Sequence, residues 1–221
     1  MGVKENIEEV NRRIALACER SGRSPNEVTL VAITKTIEPS VIRDGFNAGL
    51  RNFGENRVQD AKDKLEELQD VRSKSVWHMV GHLQTNKVKT AAGLFDIIQS
   101  VDSMKLAKSL SDSSERLLPV LLQVNVADEA SKGGFTVNEI SQAIKKITQM
   151  PHLEIKGLMT IAPWVDDPEE VRPVFRQLRE LRDSLGLEQL SMGMTDDFEV
   201  AVEEGATIVR VGRAIFGKRR I

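Results

Sequence analysis

Apolar residues recur along this chain in two alternating rhythms. Short runs rich in β-branched residues, such as Val28-Thr29-Leu30-Val31-Ala32-Ile33, give way to stretches where apolar positions return every three or four residues. Over residues 4–20, Ile7, Val10, Ile14 and Ala17 keep that second spacing. The first rhythm suits a buried parallel strand, the second an amphipathic helix. Strand patterns fall at 28–35, 51–55, 76–80, 95–101, 118–126, 154–161, 189–193 and 207–212. Helical patterns fall at 39–49, 56–72, 84–92, 103–115, 136–149, 168–185 and 195–204, with a short turn of helix after Gly212. Regular alternation of this kind predicts an α/β fold with a parallel sheet, and eight units predict a closed (β/α)8 TIM barrel with an extra N-terminal helix. An open doubly wound sheet is the alternative, although no glycine-rich turn follows the first strand to support its dinucleotide-binding version. No low-complexity linker divides the chain, and the sequence stops soon after the last strand pattern, so one domain spanning 1–221 is expected.

In such a barrel, chemistry gathers where strands end and βα loops begin. Lys35 follows the first strand run, and alternation places it on the same face as Val31 and Ile33. An amine held there among apolar walls would have a lowered pKa and could form a Schiff base with an aldehyde. A solvated lysine just beyond a strand is the competing reading. Ser191-Met192-Gly193-Met194-Thr195-Asp196-Asp197 ends the seventh strand pattern. Gly193 would let backbone approach a ligand, and Thr195 or Asp196 would cap a helix whose free N–H groups favour an anion. Val209-Arg210-Val211-Gly212-Arg213 ends the eighth. Barrels often bind phosphate between these two loops, although each glycine alone could be an ordinary turn residue.

Arg210 shares a face with Ile208 and Gly212, so it is expected to point into the barrel mouth, with a neighbouring carboxylate or a ligand atom as its partner. Asn56, at the end of the second strand pattern, either caps the next helix or touches a ligand. His78 is expected to be a hydrogen-bonded histidine near the barrel interior, and Lys87 to lie on a solvated helix face. Lys132, beside Gly133 and Gly134, is a second amine at the same mouth, on a loop less suited to preorganised chemistry.

Composition narrows the functions. The 221 residues are 40% hydrophobic and 29% charged, ordinary for a globular protein, and the net charge of −2 offers no electrostatic case for nucleic acid or a membrane surface. One cysteine, Cys18, forms no internal disulfide and fits a reducing compartment; with a charged, unhydrophobic start to the chain, a cytoplasmic protein is expected. The three histidines, His78, His82 and His152, have no metal-ligand spacing, so no metal is expected. The chain has no tyrosine, which leaves few candidates for a general acid or base.

Five separated blocks carry a resemblance. They are Ala32-Ile33-Thr34-Lys35-Thr36, Phe53-Gly54-Glu55-Asn56-Arg57-Val58-Gln59, His78-Met79-Val80-Gly81-His82-Leu83-Gln84-Thr85-Asn86-Lys87, Ser191 to Asp197, and Val209 to Gly217. In order and content they resemble the pyridoxal phosphate homeostasis proteins, single-domain relatives of the alanine racemase barrel. The resemblance implies a fold-type III barrel that binds pyridoxal 5′-phosphate (PLP). It implies that Lys35 holds PLP as a Schiff base, and that Ser191, Gly193 and the Gly212-Arg213 backbone cradle its phosphate. Asn56 belongs with these candidates, and Arg210 matches an arginine beside the pyridine nitrogen, where it would disfavour ring protonation and weaken the ring as an electron sink. Thr34 and Thr195 stand where serine is common and keep the hydroxyl. Arg213 stands where many relatives have threonine, so a phosphate contact there must use backbone or guanidinium.

Racemases of the related barrel use a lysine and a tyrosine supplied by a second domain of the partner subunit, and this sequence has neither that tyrosine nor room for that domain. The implied function is therefore a monomeric PLP carrier or regulator in PLP homeostasis, with PLP-dependent apo-enzymes as partners. A PLP-dependent, racemase-like enzyme using His78 or water as second proton carrier is the alternative. A lysine-dependent aldolase without PLP is the third reading.

Overall fold

A computed structural model describes residues 2–129 and 132–217. Eight parallel strands close into a barrel in sequence order: β1 Thr29–Ile33, β2 Asn52–Glu55, β3 Val76–Met79, β4 Ile97–Val101, β5 Leu118–Gln123, β6 Leu153–Met159, β7 Gln189–Ser191 and β8 Ile208–Val211. Seven lie inside the ranges expected from the sequence and β6 begins one residue before its range, while several strands start or stop two or three residues short of the expected limits. Closure comes from β1 pairing with β8, where Val31 stands opposite Arg210.

The helices are α1 Val3–Arg20, α2 Pro39–Asn47, α3 Val58–Glu67, α4 Gln69–Arg72, α5 Val88–Leu94, α6 Met104–Ser113, α7 Ile140–Ile147, α8 Arg172–Ser184, α9 Phe198–Glu203 and α10 Arg213–Phe216. The single helix expected over 56–72 is two helices, broken at Leu68, whose side chain is fully buried. Short 3-10 turns precede α5 and α8. The N-terminal helix α1 packs across α9 and α10, and Arg13 links them by an ion pair to Glu199 at 2.7 Å and by lying over the Phe198 ring.

Two apolar layers result from strand alternation. The larger lies between the barrel and its helices and includes Trp77 stacked on Phe53, both fully buried. Truncating either ring would cost about 3–5 kcal/mol. The smaller fills the barrel itself with Val31, Ile97, Leu121, Met159 and Ile208, and Ile33 and Ile161 pack against it. Ile33 and Ile161 sit at the C-terminal end of the strands, so this inner layer forms the apolar base of the mouth.

Candidate functional site

The first strand stops two residues before Lys35. Thr34 still bonds across to β2, its amide donating to the Gly54 carbonyl at 2.9 Å, and then the chain turns, with Ile37 N–H donating to Thr34 O at 2.9 Å. Thr36 closes that turn at φ +63°, a left-handed conformation costing a non-glycine residue about 1–2 kcal/mol. The turn is fastened from outside the barrel. The Thr34 hydroxyl donates to Glu55 Oε1 at 2.6 Å, and Lys64 Nζ reaches both that oxygen and the Thr34 carbonyl at 2.6 Å. Glu55 is fully buried, and a neutral threonine, a carboxylate and an ammonium thereby fix the residue on which Lys35 hangs. Lys35 itself is exposed and makes no ion pair or hydrogen bond with a described residue. It stands in the turn rather than in the strand, above the inner apolar layer.

Lys35, Asn56, Arg210, Gly212 and Arg213 line one cavity of about 590 Å³ at the C-terminal mouth of the barrel. Ile33, Val80 and Ile161 supply apolar walls, and Trp164 and Met194 stand at its rim. A second cavity of about 700 Å³ adjoins it, sharing Lys35, Gly212 and Arg213 and running toward Phe216.

Arg210 is the decisive electrostatic feature. It is 5% exposed, and its guanidinium donates to Ser191 Oγ at 2.6 Å and to the Thr160 carbonyl at 2.8 Å. Both partners are neutral. Burial pushes its pKa down to about 10, with the nearby Asp197 charge pulling it back up, so it remains a cation at neutral pH. The sequence allowed a carboxylate or a ligand atom as its partner, and no carboxylate of a described residue hydrogen-bonds to it. Arg213 differs: its guanidinium is exposed and paired with Asp196, tying the loop after β7 to α10.

Two candidates lie elsewhere than expected. Ser191 is fully buried inside the barrel and does not line the cavity; its hydroxyl donates to Gln99 Oε1 at 2.6 Å while receiving Arg210. Gly193 also lies off the cavity wall. Its φ of +88° and tight packing explain the glycine, since a Cβ would sit 2.5 Å from the Ala201 Cβ and 2.9 Å from the Phe198 Cα. The cap expected from Thr195 or Asp196 is absent: α9 starts at Phe198, and Asp197, at its N-cap, turns its carboxylate back to the Met194 amide. At six residues α9 is too short to carry the expected anion site. Asn56 does not cap α3, whose N-cap is Arg57, and it lines the cavity. Lys132 is engaged by Glu129 at 3.0 Å and the Ile161 carbonyl at 3.3 Å. His78 is buried, as expected, between Asn52 and Gln99, and desolvation pushes its pKa down to about 4.

Sequence reasoning missed Gln99, Glu55, Lys64 and Trp164. Gln99, like its neighbour Ser100, is a fully buried polar residue among the apolar residues of β4, a signal visible in Ile97-Ile98-Gln99-Ser100-Val101. Trp164 carries a different signal, being 81% exposed on the loop after β6.

The family model described as the alanine racemase N-terminal domain matches residues 18–220. A pyridoxal phosphate homeostasis protein of Aquifex aeolicus is 44% identical over the whole of both chains. Another, of Pseudomonas aeruginosa, is 42% identical over 98% of this chain and 96% of its own. This chain belongs to the pyridoxal phosphate homeostasis protein family. Among solved structures, PipY of Synechococcus elongatus with PLP bound superposes with a TM-score of 0.85 at 35% identity, covering 97% of this chain and all of that one. No helix among the described residues is long and apolar enough to cross a membrane.

Proposed function

We propose that this chain binds pyridoxal 5′-phosphate at the barrel mouth and serves PLP homeostasis as a carrier, not as a catalyst. One observation carries the reading: Lys35 and the buried Arg210, neither paired with a carboxylate of a described residue, line the same cavity. PLP has an aldehyde, a basic ring nitrogen and a phosphate, and the donor set fits all three. Lys35 would hold the aldehyde as a Schiff base. Arg210 has N–H groups not used by Ser191 or Thr160, and as a donor it would keep the ring nitrogen unprotonated. Backbone at Gly212 and the Arg213 guanidinium would take the phosphate, with Asn56 on the opposite wall. Bound PLP supplies a reactive aldehyde, and the lysine keeps it masked and transferable to PLP-dependent apo-enzymes.

Carrier is favoured over enzyme by the scarcity of a second proton carrier. The sequence has no tyrosine. His78 is below the cavity, with both ring nitrogens hydrogen-bonded and its charged form disfavoured. Borohydride reduction of PLP-loaded protein followed by peptide mass mapping tests the site. Pyridoxyl label on Lys35 supports it; label elsewhere, or no uptake of PLP, overturns it. Steady-state racemisation of an amino acid by the loaded protein would replace the carrier with the racemase-like reading.

A further inference from the structure

A line of side chains crosses the barrel interior beneath the cavity. Arg210 Nη1 meets Ser191 Oγ at 2.6 Å, Ser191 Oγ meets Gln99 Oε1 at 2.6 Å, Gln99 Nε2 meets His78 Nδ1 at 2.8 Å, and His78 Nε2 meets Asn52 Oδ1 at 3.1 Å. The line thus joins β8, β7, β4, β3 and β2. Its direction follows from donor chemistry. A guanidinium only donates, so Ser191 accepts from Arg210 and turns its own hydrogen onto Gln99 Oε1. The Gln99 amide nitrogen then donates to His78 Nδ1, which must be the bare nitrogen of a neutral ring. His78 Nε2 carries the hydrogen and donates to Asn52. Every donor points away from the cavity, so each oxygen or nitrogen turned back toward Arg210 is an acceptor.

That order matters because Arg210 has no counter-ion within hydrogen-bond distance among the described residues. A buried charge held by neutral groups depends on their dipoles being aligned, and aligned chains polarise one another. Reversing one link reverses the rest. A hydrogen on His78 Nδ1 would oppose the Gln99 amide, which would rotate and turn its NH2 toward Ser191, leaving the Ser191 hydroxyl without its acceptor.

We infer that Gln99 and His78 are positioning residues for Arg210: through Ser191 they hold the unpaired guanidinium under the cavity, and so set how tightly the site takes pyridoxal phosphate. This rests on the cofactor reading above, and neither residue lines the cavity.

The test has two arms, so that the two ideas fail separately. Nitrogen-15 NMR of the cofactor-free protein at pH 7 reads the His78 tautomer. Hydrogen on Nε2 is expected; hydrogen on Nδ1 overturns the chain, whatever the protein does with PLP. Spectroscopic PLP titration compares wild type with Gln99→Leu and Gln99→Glu. Loss of the Gln99 bonds is expected to weaken PLP binding about tenfold in Gln99→Leu and to shift its absorption maximum, while borohydride still labels Lys35. Gln99→Glu keeps an acceptor for Ser191 and is expected to restore most of the affinity, with the His78 hydrogen moved to Nδ1. Wild-type affinity and spectrum in Gln99→Leu, or no recovery in a folded Gln99→Glu, would overturn the positioning role. If wild type takes up no PLP, the cofactor reading fails and the tautomer alone judges the chain.

Discussion

Lys64→Met removes the cation that fastens the Lys35 turn, and its cost can be worked from the site. Lys64 is 12% exposed and Glu55 not at all, with 2.6 Å between Nζ and Oε1. Glu55 Oε2 has no hydrogen-bond partner among the described residues, so the carboxylate depends on Lys64 and the Thr34 hydroxyl at its other oxygen. Without Lys64 the carboxylate is a buried charge with one neutral donor, and the Thr34 carbonyl loses a donor as well. Orphaning one member of a buried pair costs about 3–5 kcal/mol. For a domain of this size each kcal/mol lowers Tm by roughly 2–4 °C, so a fall of roughly 10 °C is expected. Glu55→Gln/Lys64→Met removes both charges, and by the same reasoning it should be more stable than Lys64→Met alone. Urea and thermal unfolding of wild type, both single variants and the double variant complete the cycle. A loss below about 1 kcal/mol in Lys64→Met, or a double variant weaker than that single one, would refute the argument that desolvation of Glu55 dominates.

Lys35→Ala should abolish borohydride-trapped PLP yet change stability by less than about 0.5 kcal/mol, because the side chain is exposed and unpaired; mass mapping and thermal unfolding check both halves. Arg210→Gln should weaken PLP retention or alter its spectrum while the Schiff base still forms, and an unchanged spectrum and affinity would make Arg210 purely structural. His78 has a folded pKa of about 4, below its ordinary 6.5, so the unfolded chain takes up its proton first as pH falls. Its neutral burial is therefore fully tolerated above about pH 6.5, and stability declines from there toward pH 4, by about 3 kcal/mol. His78→Gln should lose that part of the slope in urea unfolding at pH 7 and pH 4. Trp164 is 81% exposed at the cavity rim and Trp77 is buried behind the barrel wall, so PLP should quench mainly Trp164 emission; equal quenching in Trp164→Phe would contradict this.

Strand positions were legible because each strand is a compact apolar run, and eight of them left one closed architecture. Alternation correctly turned Arg210 toward the mouth. It could not supply the partners of Arg210, because Ser191 reaches it from β7 and Thr160 from just beyond β6, and such non-local geometry leaves no local pattern. For the same reason the end of β1 was misplaced by two residues: the turn at Thr36 depends on Glu55 and Lys64, far along the chain. Glycine is ambiguous in principle. A missing Cβ serves a ligand or a packed helix equally, and at Gly193 the helix explains it.

The pairing of β1 with β8 brings together residues from nearly opposite ends of the chain. Lys35 therefore leaves a ribosome well before Arg210 does. A growing chain carries Lys35 long before it has Arg210, and only β8, by completing the ring, closes the mouth that both residues line. If Lys35 holds PLP as proposed, that capacity would belong to closed barrels alone, and a shortened chain lacking β8 would meet PLP only as any exposed lysine does.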